Sequence, residues 1–463
     1  MTETATHKSD LEPALVSHRT YATRMRITRI DAALMLALML LLIDLVPFNL
    51  ILPGMTDLGR PGLVLGFFLF CWWILARFAP HLSMTGPQPM RWAVLVFLGA
   101  ALLSYAAGLM RGLTTMEANG ADRKMLLFCV IAGAVLTASD GVPNWSRLRT
   151  VINVMVWAAA VVAFIGIVQY TTALDITQYL VFPGLEAKWT GPGFMMRGSS
   201  YRVASTTAHY IELSATLALC LPFAIHLSRF SRTPGRRWVA MFSAMLIAGG
   251  IGTTVSRTGI VAMGLMLLVL FPVWSWRMRY NIGVMAFGFI AVMALLSPGL
   301  MRTLFGLFDD TSNNSSINAR TEDYPIVFQY VAQTPWLGRG TGTWIPPQYR
   351  ILDNQWLVTL LDGGIIGVVT MLALHVTGIV LAYKALKRSA TEEDRHLCAA
   401  LIATQVIAVA VAATFDSLSF TTYVTIMALT LGMCGTVWRL THPARQIRTS
   451  GIRWYLSDAA PRR

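Results

Sequence analysis

Charged residues are scarce in this chain. Asp, Glu, Lys and Arg make up 13% of its 463 residues, whereas hydrophobic residues make up 55%. A soluble protein of this length needs more charge to cover its surface, so the composition argues against a soluble globular class. Several runs of 17 or more nearly uncharged residues predict membrane-spanning helices instead.

Cysteine and histidine are also sparse where chemistry would need them. The five cysteines are scattered, odd in number and mostly within apolar runs, so we expect small buried side chains rather than disulfides or metal ligands. No histidine occurs between residues 299 and 356. A general base in that segment would therefore have to be a carboxylate.

The apolar runs predict an all-α polytopic membrane protein with about twelve transmembrane helices. The fourth run is short, and the step from the seventh to the eighth, at "VSRTGI", fits either a hairpin or a broken helix. The runs lie at 32–52, 61–77, 92–110, 125–138, 151–171, 206–227, 238–255, 258–275, 281–298, 357–383, 397–414 and 419–438.

Basic residues predict the orientation. With a cytoplasmic N-terminus, 25 of the 37 Lys and Arg residues fall in inside segments, as the positive-inside rule requires. Both termini are thus predicted to be cytoplasmic. We expect a disordered basic tail at 1–30 without a cleavable signal peptide, a single transmembrane domain at 31–438 and a second basic tail at 439–463. The net charge of +14 is then a signal of topology and anionic lipid, not of nucleic acid.

Two predicted outer loops, about 171–205 and 299–356, are long enough to carry function. They and the "SRTG" turn hold eight basic residues, seven of them arginine. Positive charge is disfavoured outside, and guanidinium groups suit phosphate oxygens, so we expect a phosphate-bearing ligand there. The eight residues are Lys188, Arg197, Arg202, Arg257, Arg302, Arg320, Arg339 and Arg350.

Arg257 has the sharpest pattern. Ser256 is predicted to cap the eighth helix, which puts a cation in the first helical turn, and the helix dipole disfavours that by about 0.3–1 kcal/mol. A pyrophosphate there would be bound by both the helix amides and the guanidinium. The alternative is an interfacial arginine that reaches lipid headgroups.

Three further residues have a functional and a structural interpretation. Arg320 lies in a predicted surface helix at 317–332, where the alternative is a local salt bridge to Asp323. Arg202 and His209 stand at the entry to the sixth span, where an interfacial hydrogen-bonding role is the alternative.

The stretch "LDNQWLVTLLDGGIIG", residues 352–367, places Asp353 directly before the tenth span. Asp353 either caps that helix or, partly desolvated, acts as a general base. Asp362 lies within the span beside two glycines, where it is predicted to cap a broken helix or to line a cavity.

Together "SRTGI", Arg320, "TPWLGRGTG" and "DNQWLVTLLDGGIIG" resemble the O-antigen ligase and O-antigen polymerase superfamily, which includes exopolysaccharide polymerases. The resemblance covers roughly 200–385. It implies a GT-C-like, metal-independent and cofactor-free glycosyltransferase in the cytoplasmic membrane, with its active site on the extracytoplasmic face. The implied substrates are a glycan on polyprenyl diphosphate, normally undecaprenyl diphosphate, and a glycan or lipid acceptor.

The resemblance also implies site roles. Arg257 and Arg320 match the two arginines that engage the diphosphate, and Asp353 stands where ligases have a histidine base, which favours the polymerase branch. Arg202, Arg339 and His209 are further substrate-binding candidates, and Asn354 and Gln355 are expected to hydrogen-bond sugar hydroxyls.

Other functions predict different patterns. A shape or division peptidoglycan polymerase would carry a different motif around the long loop. A transporter or lipid flippase would place charge inside its spans, where this chain has little beyond Asp44 and Asp362. A non-enzymatic scaffold does not account for the outer arginines.

Overall fold

The computed structural model describes residues 31–55, 57–78, 87–188, 194–197, 200–309, 315–346 and 348–443. The predicted tail at 1–30 and residues 444–463 of the second tail lie outside the described residues. The side chain of Arg320 also lies outside them, and so does all of Trp189, which the sequence suggests, as an alternative to Trp344, for stacking on a sugar ring.

The described chain is a bundle of α-helices, which confirms the predicted class of all-α polytopic membrane protein. The helices are α1 (Ala32–Leu45), α2 (Pro61–Phe78), α3 (Pro89–Arg111), α4 (Thr115–Gly141), α5 (Trp145–Thr172), α6 (Tyr210–Phe230), α7 (Pro234–Thr253), α8 (Arg257–Leu270), α9 (Trp276–Leu296), α10 (Pro298–Asp309), α11 (Ser315–Val331), α12 (Gln355–Arg388), α13 (Glu392–Val411) and α14 (Thr421–Thr441).

Strands are few and short. Leu50–Ile51 (β1) pairs antiparallel with Glu186–Ala187 (β2), and Phe194–Arg197 (β3) pairs antiparallel with Ser200–Val203 (β4). Both pairs belong to connections between helices. The second pair places Arg202 directly before α6.

Twelve of these helices, α1–α9 and α12–α14, coincide with the twelve predicted spans. Nine helices of the described chain are long and apolar enough to cross a membrane, and Ala32–Leu45 and Arg257–Val273 are shorter apolar helices. The number of spans that cross the bilayer stays a prediction. At the "VSRTGI" step, α7 ends at Thr253 and α8 begins at Arg257, so the chain forms two separate helices there.

The fourth predicted span, 125–138, was too short. The helix α4 runs from Thr115 to Gly141, because a capping box starts it in a polar stretch. The Thr114 hydroxyl accepts a hydrogen bond from the backbone amide of Glu117, and the Glu117 carboxylate accepts one from the backbone amide of Thr114. Hydropathy does not register this polar first half.

The helices α4, α6 and α14 form the centre of the bundle. In α14 every residue of the most apolar stretch is buried, whereas in α9 only 6% of the residues of the corresponding stretch are buried. Glycines let α14 approach α4 closely: a Cβ on Gly432 would lie 2.7 Å from the carbonyl oxygen of Val135. The surface of α9 is thus left for lipid.

The helix α12 is broken at Gly364, which has a φ of +63°. The loop 335–340 fills the break. The amides of Ile365 and Ile366 donate to the carbonyls of Pro335 and Trp336. In the other direction, the amide of Arg339 donates to the carbonyl of Leu361. A Cβ on Gly364 would lie 2.4 Å from Trp336 backbone atoms. The glycines of "GRGTG" and "DGG" thus let two backbones pack directly together.

Asp362 fixes the next part of that loop. Its carboxylate accepts the amides of Gly342 and Trp344 at 3.0 and 3.1 Å, and its carbonyl accepts the hydroxyl of Ser104. Of the two predictions for Asp362, lining a cavity is confirmed, because Asp362 borders a cleft. Capping the broken helix is wrong, because the carboxylate accepts amides of the loop and not of α12.

The connections gather at two ends of the bundle. One end, called the site end, holds the loops 46–60, 112–114, 173–209, 254–256, 335–354 and 412–420. The opposite end includes two loops predicted to be cytoplasmic, between α2 and α3 and between α4 and α5, whose arginines pair with acids: Arg77 and Arg91 with Asp140, Arg147 with Asp31, and Arg149 with Glu393.

Candidate functional site

Arg257 begins α8 after a sharp turn. Val255 has a left-handed φ of +48°, so the chain reverses within three residues between α7 and α8. Ser256 is the N-cap residue as predicted, but its side chain makes no cap hydrogen bond. The start of this helix therefore combines the positive end of the helix dipole with a half-buried arginine, an arrangement that suits an anion.

Arg202 lies against that turn. Its guanidinium donates to the carbonyl of Val255 at 3.2 Å and to the hydroxyl of Tyr210 at 2.6 Å, and it stacks on the Tyr210 ring at 4.3 Å. Val255 is two residues before Arg257. The structure thus brings two of the predicted arginines to one place from positions 55 residues apart.

His209 caps α6 next to the same tyrosine. Its Nδ1 accepts the amide of Ile211 at 3.3 Å, and its ring packs on Tyr210 and Phe420 with centroids 4.0 and 5.8 Å away. Burial lowers the pKa of His209 below its ordinary value. A neutral imidazole that accepts a hydrogen bond from a helix amide is a helix cap. His209 and Arg202 both contact the ring of Tyr210.

The connection 412–420, between α13 and α14, ties three helix starts together. The Thr258 hydroxyl in α8 donates to that of Thr414 at 3.1 Å. The Gln355 amide at the start of α12 donates to the carbonyl of Ala412 at 2.7 Å. Since Phe420 packs on His209 of α6, the candidate residues of three distant segments surround this one connection.

Asn354, not Asp353, caps α12. The Asn354 side chain accepts the amides of Trp356 and Leu357 at 3.0 and 3.4 Å. Asp353 is exposed and makes no hydrogen bond or ion pair with the other described residues. The expectation that Asp353 caps the helix is wrong, and so is the expectation that it is desolvated, because the chain turns it outward one residue before the cap.

Gln355 is 1% exposed, and its amide has internal partners. Its Oε1 accepts the amide of Leu418 at 2.7 Å, and its Nε2 donates to the Thr359 hydroxyl at 3.0 Å. The described structure uses Gln355 to attach α12 to the connection 412–420. Sugar contacts of Gln355 and of the capping Asn354 stay predictions.

Arg339 lies apart from this group, beside the turn between α3 and α4. It donates to the hydroxyl of Tyr349 at 2.7 Å and lies 3.7 Å from the Glu117 carboxylate. Glu117 also binds Arg111 at 2.9 Å. Burial and this carboxylate raise the pKa of Tyr349. One buried carboxylate thus faces two guanidinium groups, those of Arg111 and Arg339, and the substrate role of Arg339 stays untested.

Arg320 is in α11, whose bounds are close to those of the surface helix predicted at 317–332. Asp323, its predicted salt-bridge partner, forms an ion pair with Arg350 at 2.8 Å. Trp336, which follows α11 in the chain, is 65% exposed. The position of the Arg320 guanidinium lies outside the described residues.

A cleft of about 740 Å³ opens at the site end, and of its lining residues sequence reasoning had singled out only Asp362 and Trp344. Its walls come from the first half of α4, from residues 342–346 and from residues 416–421. Arg123 and Lys124, adjacent in a helix that otherwise becomes apolar, were the available signal. The underestimated length of the fourth span concealed it.

Residues 242–372 match the family model described as O-antigen ligase. The match covers less than a third of the chain. It confirms the resemblance to the O-antigen ligase and polymerase superfamily and supports a membrane ligase or polymerase role. The matched segment includes Arg257, Arg320, Arg339 and the 353–355 stretch but not Arg202 or His209. No curated protein matches the chain significantly.

Proposed function

We propose that this protein is a glycosyltransferase of the cytoplasmic membrane. It uses a glycan on polyprenyl diphosphate at the extracytoplasmic face and joins it to another glycan, which polymerises a surface polysaccharide. The reaction is metal-independent and inverts the anomeric carbon. The observation that supports this most is the junction of Arg202 with the turn before Arg257, a turn that lies within the segment matching the O-antigen ligase family model.

The junction suits a diphosphate. The Arg202 guanidinium is fixed by Tyr210 and by the carbonyl of Val255 in the turn, and Arg257 is the first residue of α8, where the helix dipole adds positive potential. In a partly dry site such preorganised charges stabilise a leaving group without reorganising. Arg320 joins them from α11 in this proposal.

The chemistry follows from this placement. The acceptor hydroxyl attacks the anomeric carbon from the face opposite the diphosphate, and a new carbon–oxygen bond forms as the sugar–phosphate bond breaks. The electron pair of the broken bond leaves with the diphosphate, next to Arg202 and Arg257. Asp353, which stands outside the capped start of α12, takes the hydroxyl proton. A single displacement inverts the configuration.

The predicted topology supports the outer location. At the opposite end, Arg77 and Arg91 flank the loop between α2 and α3 and pair with Asp140. Arg147 and Arg149 follow the loop between α4 and α5 and pair with Asp31 and Glu393, and positive-inside counting assigns both loops to the cytoplasm. The site end is then extracytoplasmic. An aspartate in place of the ligase histidine at position 353 favours a polymerase over a ligase to a lipid or protein acceptor.

The test is glycan transfer by the purified full-length protein in EDTA. The substrate is the polyprenyl-diphosphate oligosaccharide extracted from the native host after deletion of this gene. We expect longer glycans on the lipid from the wild-type protein and from Arg302→Ala, a control at an exposed position in α10. Arg257→Ala should lose transfer while it remains folded.

A different result would reject the enzyme. If no glycosidic bond forms but proteoliposomes move the lipid-linked oligosaccharide between leaflets, the protein is a flippase. If Arg257→Ala transfers glycan as well as Arg302→Ala does, the arginine junction is not the diphosphate site.

A further inference from the structure

The cleft at the site end, called here the α4 cleft, has three walls. Thr115, Met116, Asn119 and Lys124 come from α4, Trp344 and Pro346 from the loop after the "GRGTG" glycines, and Asp416 and Ser419 from the connection 412–420. A Cβ on Gly120 would lie 2.7 Å from the carbonyl oxygen of Gly342, so glycine at 120 lets the loop wall pack directly on α4.

The polar groups of the α4 cleft are mixed in sign. Arg123 and Lys124 contribute two positive charges, and Asp362 and Asp416 contribute two negative ones. The charges of Lys124 and Asp416 both act on the Asp362 carboxylate. Such a lining selects neither a strong anion nor a strong cation, because each charge has an opposite charge near it.

The same lining has hydrogen-bonding capacity in both directions. The Lys124 ammonium has three N–H groups and donates one to the carbonyl of Leu418 at 3.4 Å. Asn119 is exposed and can donate or accept; Ser419 is also exposed, donates its hydroxyl to Asp416 and keeps its oxygen to accept. The lining also includes the apolar side chains of Met116, Ile345 and Pro346. Polar groups together with apolar patches match a sugar chain, which carries hydroxyl groups at its edges and C–H groups on its faces.

The α4 cleft adjoins the arginine junction through one connection. Asp416, Leu418 and Ser419 line the cleft, and two residues before Asp416 the hydroxyl of Thr414 binds Thr258, the neighbour of Arg257. Gln355, at the start of α12, holds the same connection through the amide of Leu418.

We infer that the α4 cleft binds a neutral or weakly charged oligosaccharide and holds its hydroxyl groups between Asn119, Lys124, Asp416 and Ser419. The inference rests on the proposed function for the class of ligand. A volume of about 740 Å³ is within the range of small-molecule sites and exceeds what a single sugar ring needs. The cleft is therefore a site for the glycan, separate from the site for the lipid diphosphate.

The experiment fills the α4 cleft and leaves the arginines untouched. Met116→Trp places an indole in the cleft, and Leu126→Trp is its matched control, because both residues are about half exposed on the same helix (47% and 45%) and Leu126 does not line the cleft. Asn119→Trp is a second filling variant. Gel filtration and the midpoint of heat unfolding in detergent establish that each variant is folded.

The probe is the water-soluble oligosaccharide that mild acid releases from the host's lipid-linked oligosaccharide, labelled at its reducing end. Fluorescence anisotropy gives its dissociation constant. We expect Leu126→Trp to bind like the wild-type protein, and Met116→Trp and Asn119→Trp to bind at least about tenfold more weakly, because the indole occupies the site. Sugar-free polyprenyl diphosphate should not displace the probe.

Binding by both filling variants within twofold of the wild-type protein would overturn the inference, as would the absence of probe binding to the wild-type protein. Kinetics identify the source of the glycan: a raised KM for free acceptor oligosaccharide assigns the cleft to the acceptor, and a raised KM for the lipid-linked donor assigns it to the donor. Probe binding without any glycosyl transfer would reject the proposed function and leave the glycan site standing.

Discussion

The break in α12 at Gly364 gives the most specific structural prediction. Replacing Gly364 with alanine puts a Cβ 2.4 Å from the backbone of Trp336 and forces a left-handed φ on an L residue. With a ψ of −163°, this backbone conformation is one that only glycine commonly adopts, and it costs alanine about 1–3 kcal/mol. If the loop moves away, the hydrogen bonds from Ile365 and Ile366 to the loop are also lost, at about 0.5–1.5 kcal/mol each. The variant should lose about 2–6 kcal/mol of folding free energy.

Gly363→Ala is the control, one residue away. A Cβ at Gly363 meets no atom within 4 Å, so alanine should be neutral or should stabilise the helix by up to about 1 kcal/mol. The assay is the fraction of detergent-solubilised protein that remains monodisperse after heating over a temperature series. Equal midpoints for the two variants would refute the packing of loop 335–340 into the broken helix.

Three further predictions concern the site end. Asp353→Asn should leave the binding of the lipid-linked donor intact and slow glycan transfer by about 10²-fold or more, as expected for a general base; near-normal rates would remove Asp353 from the mechanism. Glu117→Gln should destabilise the protein by about 1–3 kcal/mol, because Arg111, the Thr114 amide and Tyr349 lose a buried carboxylate. The control is Glu322→Gln at an exposed position, which should not change the midpoint of heat unfolding. Equal midpoints for the two variants would contradict this network. Burial lowers the pKa of His209 in the folded protein. As the pH falls through about 6.5, the unfolded chain therefore takes up the proton first. Folding stability is lost below that pH, by about the 1 kcal/mol of a helix cap. His209→Asn keeps a cap that does not titrate, and its midpoint should fall less between pH 7.5 and 5.5 than that of the wild-type protein; an equal fall would show that the cap does not titrate.

The spans could be read from the sequence because hydrocarbon imposes a length and an apolar composition on every helix that crosses it. The break in α12 was also readable, since Asp362 and two glycines interrupt an apolar run. The start of α4 was not, because a capping box in a polar stretch determines it and hydropathy does not measure capping.

The cap of α12 shows a different limit. Asp353 and Asn354 are both good N-cap residues, so sequence alone could not choose between them. Tertiary contacts favour Asn354, because the Gln355 amide donates to the carbonyl of Ala412 on another helix and so fixes where α12 begins.

The functional site was predictable only in part, because a local pattern can single out a residue but does not show which distant segments meet. An arginine on the outer side is unusual in itself, which is why Arg202 and Arg257 could be singled out from composition and topology. The α4 cleft has walls from three segments that are far apart in the chain, and no local pattern joins Asn119, Trp344 and Asp416. Its detection required the fold.

The central claim is that Arg202 and Arg257 together hold a lipid diphosphate. The most direct measurement is the dissociation constant of host-derived polyprenyl diphosphate for the purified protein in EDTA. Charge-assisted hydrogen bonds of about 1.5–3 kcal/mol correspond to about 10- to 100-fold in affinity, so Arg202→Ala and Arg257→Ala should each weaken binding by that factor, with Arg302→Ala unchanged. Affinities of all three variants within twofold of the wild-type value would contradict the account.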